Sequence, residues 1–163
     1  MKLPELFRNG RKEHDPGKRV SYHESGHGLV QVAHGLLPRF TSLKGITGTL
    51  GFNTESFYIG CDLGIDWEKK WPVYLLMLQF GGIVGEAFYC GFYNWAGARS
   101  DLENAGKERR IYNLSFDDYL QAWADTHELV EDHQDGLKTA SARLFLDRVL
   151  GWEFWEEEIL LSH

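Results

Sequence analysis

The stretch VSYHESGHGLV (Val20–Val30) decides how the rest of the chain is read, because it holds His23 and His27 four residues apart with Glu24 directly after the first. On a helix, residues four apart share one face about one turn apart, so both imidazoles can reach a single ion. Glu24 then projects beside that ion. Its carboxylate can take a proton from water that the metal has activated and later pass it to a leaving amine, which is the chemistry of peptide-bond hydrolysis. The sequence His23-Glu24-Ser25-Gly26-His27 is thus a zinc-peptidase pattern, provided that it sits on a helix. Ser21 and Glu24 have the spacing of a capping box, which predicts a helix from Ser21 through Leu37, stopped by Pro38. The competing reading is a capped surface helix with two unrelated histidines.

Before this helix, residues 1–19 are polar and contain the turn pairs Asn9-Gly10 and Pro16-Gly17, which read as a flexible lead-in to a single domain over 20–163. They contain no continuous apolar run of the kind a secretory signal needs. After the helix, FTSLKGITGTLGFNTESFYIG (40–60) is rich in Thr, Ile, Phe, Tyr and Gly in short alternating pieces, suited to two or three small strands. Beyond Trp67 the pattern turns helical, with helices expected at about 70–90 and 100–112 and two more after Ser115. The predicted fold class is therefore mainly α (α+β), with a small β-sheet near residues 40–60.

A chain of 163 residues suits one domain and can bury about two-thirds of its unfolded surface. Its 43% hydrophobic content, with charges of both signs spread along the chain, is that of a folded protein. The net charge of −7 argues against general affinity for nucleic acid or anionic lipid, both of which are held by Lys and Arg. Cys61 and Cys90 form neither a disulfide framework nor a thiolate zinc cluster, and a cytoplasmic setting is expected. The segment Val73–Phe92 is long enough to cross a bilayer, but its glycines and its lone ionisable residue, Glu86, point to the buried centre of a domain instead.

A catalytic zinc site needs a third protein ligand. His34 shares the helical face of His27 but lies two turns on, about 10 Å along the axis, too far to share an ion. The extended pattern with Gly and His further along fails, because Val30 and Ala33 occupy those positions. His127, Glu128 and His133 fall in THELVEDH, which reads as a solvated helix face. Two acids remain. Glu86 stands alone among apolar residues and must be paired or metal-bound if buried. Asp101 opens a helix after AGARS, where capping alone would also place a carboxylate.

The segments HESGHGLV (23–30), LLP (36–38), LGF (50–52), GGIVGEAFYCG (81–91) and GARSDLENA (97–105) follow one another in an order and spacing that resembles the peptidase domain of the FtsH family over roughly 20–112. The resemblance implies that zinc is held by His23, His27 and Asp101, the last in a G-A-x-x-D-L stretch, with Glu24 as general base. It also implies that Glu86 supports a ligand from behind, and that an extended substrate adds as a strand beside an edge expected within Leu43–Phe52. Where that family commonly has Arg and Asn, this chain has Ile83 and Ser100. No G-x-x-x-x-G-K-[ST] loop is present, so the expected activity is ATP-independent cleavage of peptides or unfolded protein, alone or with a separate ATPase partner, and self-association stays open. The rivals are a non-catalytic peptide- or partner-binding module that keeps this fold, and a membrane-associated protein anchored by 73–92.

Overall fold

A computed structural model of the chain describes residues 14–38, 40–43, 57–58 and 67–160. Its first helix, α1 (Pro16–Ala33), starts upstream of Ser21. Asp15 caps it by accepting from the Lys18 amide at 3.0 Å, and Pro16 takes the first helical position, where its missing N–H costs nothing. The capping box expected at Ser21 and Glu24 is thus displaced by a cap six positions earlier in the form Asp-Pro. Ser21 instead lies fully buried inside the helix, its hydroxyl bonded to the Lys18 carbonyl at 2.7 Å and to Ser141 Oγ at 2.8 Å. Residues 16–19 therefore belong to the helix and not to a flexible lead-in. At the other end the helix stops at Ala33, before Leu37, because Gly35 adopts φ +73°, a conformation that ends helices and suits only glycine well.

Five helices form most of the molecule: α1, α2 (Trp67–Cys90), α3 (Arg99–Ile111), α4 (Phe116–Asp132) and α5 (Gln134–Asp147). Helical residues then resume at Trp152–Phe154 and widen into a π-helical segment, Trp155–Leu160. Among the described residues there are four short strands, β1 (Leu36–Leu37), β2 (Phe40–Ser42), β3 (Phe57–Tyr58) and β4 (Val149–Gly151). They make two antiparallel ribbons. In one, Leu36 pairs with Tyr58 and Leu37 with Phe57; in the other, Phe40 pairs with Gly151, Thr41 with Leu150 and Ser42 with Val149. The protein is mainly helical with a small strand content, as its sequence predicts. The partner of β2, however, comes from the C-terminal region and not from 40–60. Arg148, at φ +65°, ends α5 and releases Val149–Gly151 to pair with it. The substrate edge expected at 43–52 lies outside the described residues beyond Leu43.

The middle of the fold is α2. By length and composition Lys70–Cys90 could cross a bilayer, its most apolar 18-residue window having mean hydropathy 1.4, yet 78% of that window is buried against the rest of the chain. Leu76, Phe80 and Ile83 pack with Val30 of α1, Ala105 of α3 and Ala122 of α4. Leu29, Val32, Val84, Leu137, Leu144 and Trp155 form a second apolar cluster between α1, α5 and the C-terminal segment.

Where α1 crosses α2, glycines bring backbone against backbone. A Cβ on Gly26 would run into the Gly81 carbonyl and lie 3.2 Å from Gly85 Cα, and one on Gly85 would meet the Tyr22 carbonyl at 2.6 Å. Since the obstructing atoms are backbone, neither helix can relieve the contact by turning a side chain. Gly26→Ala is expected to destabilise the metal-free chain by about 3 kcal/mol, read as a lower denaturant midpoint in equilibrium unfolding, because overpacking here must separate two helices. An unchanged midpoint would contradict this crossing.

Candidate metal centre

His23 and His27 face α2 from α1, and Asp101 enters from the first turn of α3. Their inward atoms form a small triangle. His23 Nε2 lies 3.2 Å from His27 Nε2 and 3.1 Å from Asp101 Oδ2, and His27 Nε2 lies 3.8 Å from the same oxygen. Tetrahedral coordination with bonds of 2.0–2.1 Å separates ligand atoms by about 3.3 Å. The triangle therefore has the dimensions of three corners of such a site. Asp101 does not cap α3, whose N-cap is Ala98 with no side-chain bond; its carboxylate is turned inward and buried.

Hydrogen bonding behind the rings fixes what they present to the triangle. His27 Nδ1 lies 2.6 Å from the Leu78 carbonyl, which can only accept, so Nδ1 carries the hydrogen and Nε2 offers a lone pair. His23 Nδ1 lies 3.2 Å from Glu86 Oε2, with the same consequence. With His23 neutral, two lone pairs and a carboxylate oxygen thus converge in a buried space, and Asp101 Oδ2 makes no aligned hydrogen bond there. Such an arrangement is near enough to hold a cation. A side chain has no room: a Cβ on Gly82 would press on Nε2 of both histidines.

A proton can serve as that cation when no metal is bound. Burial opposes protonation of His23, but its contacts with Asp101 and Glu86 and the charges of Asp101 and Glu24 outweigh burial and raise its pKa to about 10. His27 moves the other way, to about 4, because it is buried beside a charged His23. Burial would raise Asp101, yet the His23 contact and the two neighbouring histidine charges hold it below the usual carboxylate range. Metal and proton therefore compete for one triangle, and filling it with metal must expel the His23 proton. At pH 8, zinc binding is expected to release about one proton, seen as a dependence of calorimetric heat on buffer ionisation enthalpy. Apparent affinity should fall about tenfold for each unit of pH decrease, since protons favour the metal-free form. Proton-neutral binding would contradict this.

Glu24 is 3% exposed, and its Oε2 has no hydrogen-bond partner. Burial raises its pKa to about 7; the charge of His23 works against this and that of Asp101 with it. Glu86 does not join the triangle. Its Oε2 meets His23 Nδ1, while its Oε1 lies 3.0 Å from Arg19 Nε and 2.9 Å from Asn94 Nδ2. Glu86 therefore lies behind His23, in contact with its Nδ1.

The remaining candidates lie elsewhere. His34 Nδ1 bonds the Val30 carbonyl at 2.8 Å and its ring rests against Tyr74. His127 Nε2 meets Tyr93 OH at 2.9 Å and its ring packs on Trp123, so it is half-buried in an aromatic cluster and not on a solvated face. Glu128 is exposed and His133 stands at the junction of α4 and α5. Two participants were not expected from sequence. Arg19 sits one helical turn before His23, a relation visible only once α1 is known to start at Pro16. Asn94 lies in the α2–α3 connection, where no local pattern marks it. Compared with family models and with curated proteins, the chain matches none, so its activity must be argued from its own residues.

Proposed function

We propose that this chain is a zinc-dependent, ATP-independent endopeptidase acting on peptides or unfolded protein, with His23, His27 and Asp101 as ligands and Glu24 as general base and acid. The observation that supports this most is the convergence of three electron-pair donors at coordination spacing, with Glu24, whose Oε2 has no hydrogen-bond partner, adjacent in sequence and within electrostatic reach. Two imidazoles and one carboxylate, with no thiolate, are a donor set used by zinc hydrolases and leave a coordination position open. The order of segments resembling the FtsH-family peptidase adds to the reading.

When bound, zinc lowers the pKa of water to about 7 and polarises a carbonyl oxygen. The protein supplies the rest. Leu78 fixes the tautomer of His27, and Glu86 holds His23 Nδ1, so that the proton His23 gives up to a metal leaves from Nε2; both rings are oriented before any ligand arrives. Glu24 takes the proton from the attacking water and donates it to the departing amine, the two halves of one general-base and general-acid cycle. Burial, which raises Glu24 to about 7 in the metal-free chain, disfavours its charged form and so favours its taking up a proton.

The test is cleavage of casein by the purified chain before chelation, after chelation and after zinc is restored. Loss on chelation and recovery with zinc are expected. Cleavage indifferent to chelation would contradict the proposal, and zinc binding without cleavage would point to a binding module on the same fold.

A further inference from the structure

Asn94 joins the two halves of the metal triangle. Its Nδ2 donates to Glu86 Oε1 at 2.9 Å, and Glu86 in turn holds His23 Nδ1. Its Oδ1 accepts from the Gly97 amide at 3.2 Å, and its own carbonyl accepts from the Ala98 amide at 3.0 Å. Ala98 is the N-cap of α3, whose first turn carries Asp101. The amide orientation is fixed by these neighbours, since a carboxylate can only accept and a backbone N–H can only donate. One side chain thus touches both the carboxylate that orients a histidine ligand and the turn that delivers the aspartate ligand.

Gly97 is part of this clasp. A Cβ placed there would strike the Asn94 side-chain nitrogen. The obstructed atom is the end of a movable side chain, so a methyl group at 97 would push the Asn94 amide off Glu86 without forcing the backbone apart. Arg19, the other partner of Glu86 Oε1, has a partly exposed side chain and comes from α1, the same helix as His23. It can hold Glu86 but cannot relate the histidines to α3.

We propose that Asn94, seated by Gly97, is a positioning residue that sets Asp101 in register with His23 and so determines metal affinity and ligand geometry. This rests on the metal centre proposed above. Cobalt(II) serves as the probe, because its visible absorption reports ligand geometry independently of activity. Asn94→Ala and Gly97→Ala are each expected to weaken cobalt binding about 10–100-fold and to alter the absorption bands, with the metal-free denaturant midpoint close to that of the parent. In the double variant Asn94→Ala/Gly97→Ala, the second change should add nothing, because Gly97→Ala acts only through the side chain already removed. Parent-like affinity and spectrum in both single variants, or additive losses in the double variant, would overturn the positioning role while leaving the metal centre standing. A parent chain that takes up no cobalt would instead remove the metal centre, and the positioning role with it.

Discussion

Glu24→Gln is expected to lower casein cleavage by about 10²–10⁴-fold while leaving zinc content unchanged. Gln matches Glu in shape, so the packing between α1 and α2 stays intact, and Glu24 makes no side-chain bond that the amide would lose at Oε2. What disappears is the ability to accept a proton. The substitution also carries a stability signature. In the metal-free fold the Glu24 pKa rises from 4.5 to about 7, so burial is tolerated below pH 4.5, where the group is neutral in both states. As pH climbs through 7, the folded chain must hold an ionised buried carboxylate, and stability falls. The metal-free Gln variant should therefore unfold at higher denaturant than the parent at pH 8. Equal cleavage by the two proteins would remove Glu24 from the chemistry.

The second large effect concerns Asp101. Asp101→Ala is expected to reduce zinc affinity by more than about 10²-fold, beyond the loss typical of a group that merely supports a ligand. Asp101 supplies the only oxygen of the triangle, and its removal leaves two neutral imidazoles 3.2 Å apart. Glu86 cannot move in to replace it without releasing His23, Arg19 and Asn94. Glu86→Ala should accordingly cost less, about 10–100-fold, because His23 stays in place but loses the partner that fixes its tautomer. Competition against a chromophoric chelator measures both. Retained affinity in Asp101→Ala would shift the ligand role to Glu86.

The parts of the site legible in sequence were those that depend on short spacing. A spacing of four residues from His23 to His27 suffices to place both rings on one face, and the structure sets those rings together as that spacing requires. Asp101 could not be reached in this way, because two local explanations, capping and coordination, put a carboxylate at the same helix start. Only the three-dimensional path of α3 against α1 separates them. The same difficulty affected the helix boundary: Asp15-Pro16 and Ser21-Glu24 are both sound start signals, and the earlier one prevails where Ser21 can be buried against Ser141. Pairing of β2 with β4 was hidden for a different reason. Sequence patterns describe neighbours, whereas Thr41 and Leu150 meet only because α5 returns the chain across the fold. Asn94 combines both problems, being a single polar residue whose partners lie on separate elements.

The central claim is that His23, His27 and Asp101 hold one metal ion, and the most direct measurement is a crystal structure of the zinc-loaded chain with anomalous data collected at the zinc edge. The account predicts a single peak within the triangle, about 2.0–2.2 Å from His23 Nε2, His27 Nε2 and Asp101 Oδ2. A peak bound at other residues, or a triangle closed by a proton with no anomalous signal in zinc-saturated crystals, would contradict it.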